Sequence, residues 1–314
     1  MNRARALSQA ADDHARAGLV FGLFAYGLWG VLPIYFKQLS AISAVDIVAH
    51  RVLWSLLFLG LLLAITRGWR QVLDGVRSRR TLGLLLATSI LIAINWLLYV
   101  YAVNSGHILA GSLGYYLNPL MNIVLGRFVL KERLTGLQWA AVAIAAAGVS
   151  VLAAGAGTTL WISLTLCVSF ATYGLLRKVA AVDAIAGLSI ETAILVPAAL
   201  GWLLLGVSDG RAVFGSTSEE MWLLAGAGIV STTPLLLFTA AARRLRYSTL
   251  GMLQYLAPTL QFLLAVALYD EEFTTAHAIA FGAIWTALLL YSLSLIRDLR
   301  ARRRAAAAPD LCEP

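Results

Sequence analysis

Charge is scarce in this chain, and acidic charge most of all. Charged residues occupy 13% of 314 positions, with 16 Asp and Glu against 24 Lys and Arg; a soluble domain carries about 25%. There are two cysteines, Cys167 inside an apolar run and Cys312 near the C-terminus. That excludes a disulfide framework and a cysteine-built metal cluster. No G-x-x-x-x-G-K-[ST] and no H-E-x-x-H occurs, which removes P-loop nucleotide binding and a zincin site. No aspartate pair lies deep in an apolar run. The serine of "GSLG" (111–114) has no histidine at partnering depth beyond His50. The chain reads as no enzyme, with no catalytic residues, cofactor or metal.

What the chain has instead is apolar sequence: 60% of its residues are hydrophobic. They come in blocks of roughly 20, the length that crosses a ~30 Å hydrocarbon core as helix. The blocks are continuous rather than alternating, so the spanning form is helix and not barrel. The pattern predicts spans at 18–36, 44–65, 82–104, 108–129, 136–154, 159–178, 187–206, 221–242, 247–268 and 275–296. The first is read as a retained helix, since it is long and has no clear cleavage site. The formal charge of +8 does not point to nucleic acid, because the arginines sit in short loops between apolar blocks.

Those loops set an orientation. Arg3, Arg5 and Arg16 precede the first span. Arg67, Arg70, Arg77, Arg79 and Arg80 follow the second, Lys131 and Arg133 follow the fourth with Arg127 just before them, Arg177 and Lys178 edge the sixth, and Arg243, Arg244 and Arg246 follow the eighth. Arg297, Arg300, Arg302, Arg303 and Arg304 lie in the tail, while the opposite loops hold Lys37 and Arg211. The positive-inside rule then places both termini in the cytoplasm of a multi-pass plasma (inner) membrane protein. The basic tail is expected to meet anionic lipid before a disordered end.

Shifting the chain by 139 residues lays "YYLNPLMNIVLGRFVLKERLT" (115–135) on "QYLAPTLQFLLAVALYDEEFT" (254–274). Tyr116 meets Tyr255, Pro119 meets Pro258 and Glu132 meets Glu271; "YGLW" (26–29) matches "YGLL" (173–176) more weakly. The fold class is therefore an all-α polytopic membrane protein, ten transmembrane helices as two inverted five-helix repeats. Residues 1–17 form a cytoplasmic arm, 18–154 the first repeat, 159–296 the second, and 297–314 a basic tail. Five spans is an odd number, so the second copy enters from the other side, as in secondary transporters. Pro119 and Pro258 fall near the middle of spans four and nine, where a helix break suits a cavity wall.

The second span carries His50 and Arg51 side by side, and an arginine in hydrocarbon is costly, by ~3 kcal/mol on insertion scales. At ~1.5 Å per residue, both lie about 10 Å below the outer surface. Asn95, Trp96 and Tyr99 of span three, and Tyr115 and Tyr116 of span four, reach a similar level; Asn118 and Asn122 lie deeper. A cation, amides, phenols and aromatic faces suit an organic solute with a polar or anionic head and an apolar body. The candidate substrate-binding residues are Arg51, His50, Asn95, Tyr99, Tyr115, Tyr116, Asn118, Tyr255 and Gln254. Asp46, one turn above His50, is the alternative tie for Arg51. Glu191, in "GLSIETAILV" of span seven, aligns on His50; it is expected about 6–8 Å above the cytoplasmic surface and about 13 Å in depth from Arg51. Glu191 or His50 is the candidate group for proton coupling.

Three stretches carry a family resemblance: "AYGLWGVLPIYFKQL…AVDIVAHRVLWSLLFL", "NWLLYVYAVNSGHILAGSLGYYLNPLMNIVLGRFVLKERL" and "TTPLLLFTAAARRLRYSTLGMLQYLAPTLQFLLAV". Over 18–296 the chain resembles RarD, the chloramphenicol-sensitive proteins of the EamA group in the drug/metabolite transporter superfamily. The resemblance implies ten helices in two inverted repeats, an inner-membrane location and a permease role. It implies neither substrate nor binding residues. The rival readings are a channel, since "NPL" (118–120) resembles the N-P-A of water channels but its repeat counterpart is "APT"; an intramembrane enzyme; and a scaffold. "GLVFG" (18–22) has the spacing of a helix-packing or homodimer face.

Overall fold

Continuous apolar sequence satisfies its backbone inside lipid only as helix, and helix is what this chain forms. The structure, a computed structural model, describes residues 2–39, 41–104, 108–154, 160–211, 214–269 and 275–307. These residues form twelve helices and no strand. They are α1 (Asn2–Lys37), α2 (Ala44–Thr66), α3 (Trp69–Arg77), α4 (Arg79–Asn104), α5 (Ile108–Phe128), α6 (Gly136–Ala153), α7 (Leu160–Val179), α8 (Ala184–Ser208), α9 (Ser218–Arg244), α10 (Tyr247–Gln254), α11 (Leu256–Tyr269) and α12 (Thr275–Ala307). Eight of them, α1, α2, α4, α6, α7, α8, α9 and α12, are long and apolar enough to cross a membrane. The fourth expected span falls on α5 and the ninth is divided between α10 and α11. Large apolar side chains face outward, Trp222 at 79% and Leu204 at 67% exposure, as in a chain solvated by lipid.

Helix ends follow local chemistry. Thr135 with Gln138 and Thr217 with Glu220 form capping boxes at α6 and α9, and Asp183 caps α8 through the Ala186 N–H. The start of α10 has no side-chain cap of its own. Glu132 supplies one from beyond α5, accepting from Tyr247 N–H at 2.5 Å and Ser248 N–H at 3.0 Å.

The structure departs from the sequence expectations in several places. The loop after span two holds α3, whose Trp69, Leu73 and Val76 share an exposed face at helical spacing. Its Gly75 packs so closely on α8 that a Cβ there would lie 2.9 Å from Ile190 Cδ1. The N-terminal arm continues into α1, and α12 runs on through the basic segment to Ala307; the end expected to be disordered, beyond it, lies outside the described residues. α5 passes Pro119 without interruption: one lost hydrogen bond does not end a helix packed on its neighbours. In the ninth span the helix stops at Tyr255, within a turn of Pro258. Glu271 of the repeat lies outside the described residues.

The principal packing partners are α1 with α9 and α11, α2 with α8 and α9, α4 with α7 and α8, α5 with α7 and α10, and α6 with α12. Inside, Tyr26, Trp29, Phe170, Tyr173 and Phe238 form an aromatic core, with centroid separations such as 5.5 Å for Phe170–Phe238.

Candidate substrate and coupling site

The residues singled out from the sequence fall into three places. The first surrounds Arg51. Its guanidinium lies over the Trp96 ring, 3.6 Å from the centroid, a planar cation on an aromatic face. The Tyr115 and Tyr173 phenols are within electrostatic reach, and Tyr99 meets Tyr115 edge-on at 5.6 Å. The three ion pairs among the described residues leave Arg51 with no carboxylate within 4.0 Å. Asp46 does not supply one, because it accepts from Trp202 Nε1 at 2.8 Å and pairs with Arg211 at 3.4 Å. Arg51 lines a cavity of about 20 Å³ with Ser55, Trp96, Leu188, Thr192 and Thr232 among its walls. That is room for about one water. His50, although next in sequence, turns to the other side and meets Phe214, with ring centroids 5.1 Å apart.

The second place surrounds Glu191. The sequence places it about 6–8 Å above the cytoplasmic surface of the core; the structure buries it among protein side chains, at 1% exposure. Its Oε1 accepts from Thr88 Oγ1 at 2.5 Å and faces Arg177 Nε at 3.5 Å; its Oε2 accepts from Tyr173 at 3.4 Å. Arg177, expected at a loop edge as a topology marker, is wholly buried at 0%. Its Nη2 donates to the carbonyls of Ala184 and Asp183 at 3.3 and 3.5 Å. Gly187 makes the space, since a Cβ there would stand 2.1 Å from Arg177 Nη1. Tyr173 belongs to both places, bonding Glu191 while lying in the field of Arg51. Tyr173 is thus the one of these residues that interacts with both charges, which the sequence left about 13 Å apart in depth.

The third place lies between α5 and α10. Asn122 donates to Gln254 Oε1 at 2.7 Å, and Asn118 and Tyr255 are buried beside this pair. Asn95 does not join either charge: its amide ties α4 to α7, donating to the Leu166 carbonyl at 2.9 Å and Ser169 Oγ at 3.0 Å. Tyr116 packs on Phe281 at 5.7 Å.

Sequence reasoning missed Thr88, Tyr173 and Arg177. One signal was present: Tyr173 and Arg177 stand at i and i+4 on one face of α7, with Asp183 and Glu191 following on α8.

With this geometry in view, the comparisons are specific. A family model, the EamA-like transporter family, matches residues 16–154. Protein RarD of Escherichia coli is 43% identical, covering 91% of this chain and 97% of its own length. Protein RarD of Streptomyces exfoliatus is 41% identical, with 97% and 98% covered. The chain belongs to the EamA-like transporter family, in its RarD branch. An uncharacterized transporter of Vibrio cholerae extends the RarD-like set at 46% identity, covering 94% of this chain and 98% of that protein. A crystal structure of a protein superposes with TM-score 0.67 at 21% identity, covering 88% of this chain and 98% of that one, a likeness of fold alone. As an EamA-like protein the chain is a multi-pass membrane transporter.

Proposed function

We propose that this protein is a secondary-active permease that moves a small organic solute with an anionic head and an apolar or aromatic body across the plasma membrane by alternating access. The observation that carries the reading is Arg51: a cation stacked on Trp96, on the wall of an internal cavity, with no carboxylate within 4.0 Å among the described residues. A buried charge without a counter-ion is costly, and an anionic ligand removes that cost on binding. The cavity, about 20 Å³, is far below the ~300 Å³ of a solute pocket. Cargo therefore enters only when the helices rearrange, as a carrier requires and an open channel does not.

The ten-span, two-repeat reading is supported by the packing. Exchanging α1 with α7, α2 with α8, α4 with α9, α5 with α10 and α11, and α6 with α12 turns each principal packing pair into another observed pair. Inverted repeats of this kind give two related conformations, open to either side. The arginine-rich loops support cytoplasmic termini. Glu191, held by Thr88 of α4 and by Tyr173 and Arg177 of α7, is the coupling group: a proton taken up there releases Arg177 and is sensed at Arg51 through Tyr173. If pH dependence of transport survives in both Glu191→Gln and His50→Ala, the coupling assignment is wrong.

The test is transport in proteoliposomes with a pooled metabolite library, comparing wild type, Arg51→Ala and Arg51→Lys, each with a melting curve. One anionic solute is expected to move with wild type and to be lost in both variants at unchanged stability. Normal transport with a lowered melting temperature would make Arg51 a structural tie and overturn the binding role.

A further inference from the structure

Between α5 and α10, several buried polar groups have no partner among the described residues. Asn118 is 0% exposed, and neither its Oδ1 nor its Nδ2 makes a hydrogen bond. One turn further along α5, Asn122 spends its Nδ2 on Gln254 and leaves Oδ1 unpaired. The Tyr255 hydroxyl is likewise buried and unpaired. Such groups destabilise a fold unless something fills them.

The helix register brings these groups together. α5 and α10 run antiparallel: a Cβ on Gly126 would lie 3.1 Å from Ser248 N, and a Cβ on Gly251 would lie 2.7 Å from the Pro119 carbonyl oxygen and 2.9 Å from Asn122 Cβ. One more turn in the same register sets Tyr255 level with Asn118. Tyr255 is where α10 ends and α11 begins; its backbone stays helical there, and Thr259 N–H donates to its carbonyl at 3.1 Å.

The unpaired side-chain atoms are mostly oxygens, Asn118 Oδ1, Asn122 Oδ1 and the Tyr255 hydroxyl, and Pro258 withholds the N–H that the Gln254 carbonyl would otherwise meet one turn on. We propose that this break between α10 and α11 is a binding site for a small monovalent cation, sodium, coordinated by those neutral oxygens. The chemistry favours this ion class. None of the four ligands is a carboxylate to balance a divalent ion, and none is a nitrogen or sulfur suited to a transition metal. Backbone carbonyls freed where a helix is interrupted are where transporters hold sodium. The site is separate from Arg51 and does not depend on the identity of the cargo.

The experiment is equilibrium binding of radiolabelled sodium to the purified protein, with choline holding ionic strength constant and melting curves in sodium, potassium and choline. Wild type is expected to bind saturably and to melt higher in sodium. Asn118→Ala and Asn122→Ala are expected to weaken binding by about tenfold or more and to lose the sodium-dependent melting shift. Should the alanine variants not fold, Asn118→Asp decides, because it keeps the size and oxygens and adds a charge. Tighter binding in Asn118→Asp supports the site, and unchanged binding refutes it. No saturable binding to folded wild type overturns the proposal and leaves these groups to buried water. Sodium binding unaffected by either alanine substitution places the ion elsewhere and overturns it equally. Neither negative result touches the transport reading, since no cargo is present.

Discussion

Removing the charge from either Arg177 or Glu191 should destabilise the protein by more than removing both would suggest. The two charges are 3.5 Å apart with side chains 0% and 2% exposed. At an effective dielectric near 20, charges at that separation attract by about 5 kcal/mol before desolvation is counted. Desolvation cancels much of that, so the intact pair contributes little net stability. The single variants are another matter. Arg177→Met leaves a buried carboxylate with only the Thr88 and Tyr173 hydroxyls. Glu191→Gln leaves a buried guanidinium with two backbone carbonyls. Each is expected to cost about 3–5 kcal/mol. The double variant Arg177→Met/Glu191→Gln loses both stranded charges together, and its cost should fall below the sum by about 2–3 kcal/mol.

The assay is reversible unfolding in mixed detergent micelles, with the four proteins forming a double-mutant cycle. Additive losses would refute the pairing. A Glu191→Gln protein as stable as wild type would also refute it, by showing that the carboxyl already carries its proton. The cycle also bears on the proposed coupling role: a protonated Glu191 would be the chemical counterpart of the glutamine, so the stability lost in Glu191→Gln would measure the work of releasing Arg177 that the proposal assigns to a proton.

Two glycines and one surface pair give further tests. Gly187→Ala drives a methyl group against Arg177 Nη1 at 2.1 Å and should cost about 1–3 kcal/mol, and transport with it; a melting curve like wild type would refute the packing. Gly228→Ala sets its Cβ 2.4 Å from the Trp54 backbone carbon, where no side chain can swing away, so α2 and α9 must part. Its melting temperature should fall further than that of Gly187→Ala, and the reverse order would refute the argument. Arg211→Ala breaks a pair that is 37% exposed on the arginine side and should change stability by less than about 1 kcal/mol; a larger loss would mean that Asp46 depends on it.

Most of the spans were legible in the sequence because their signal is solvation, and solvation is local: about 20 apolar residues in a row need no knowledge of their neighbours. α3 was not legible, because nine residues between two spans are too few for such a signal. Its amphipathic face shows only once the helix is known. The break at Tyr255 was half legible. Pro258 announced that the ninth span would be disturbed, and Pro119 announced the same for the fourth, yet α5 continues through its proline while α10 and α11 separate. A proline removes one bond in either case; whether the helix then ends depends on what packs against it.

The two arginines of the site mark the limit of sequence reading. Arg51 stands in the middle of an apolar run, and its cost in hydrocarbon makes it conspicuous. Arg177 stands at the end of one, beside Lys178, where counting positive charges assigns it to the cytoplasmic surface. Lys178 does behave as a terminal cation: it donates to the carbonyl of Ala242 at 2.7 Å and to that of Leu245 at 2.5 Å, the last residues of α9 and its cap. Arg177, one position earlier, turns inward because Gly187 leaves room for its guanidinium and Glu191 offers the charge. Both conditions come from α8, a different helix, so no property of the "LLRKVAA" stretch alone separates the two cations. The pairing was within reach only by asking which buried carboxylate needed a partner. Glu191 was conspicuous for the same reason as Arg51, and the tyrosine between them, Tyr173, is the residue through which the legible charge and the hidden one meet.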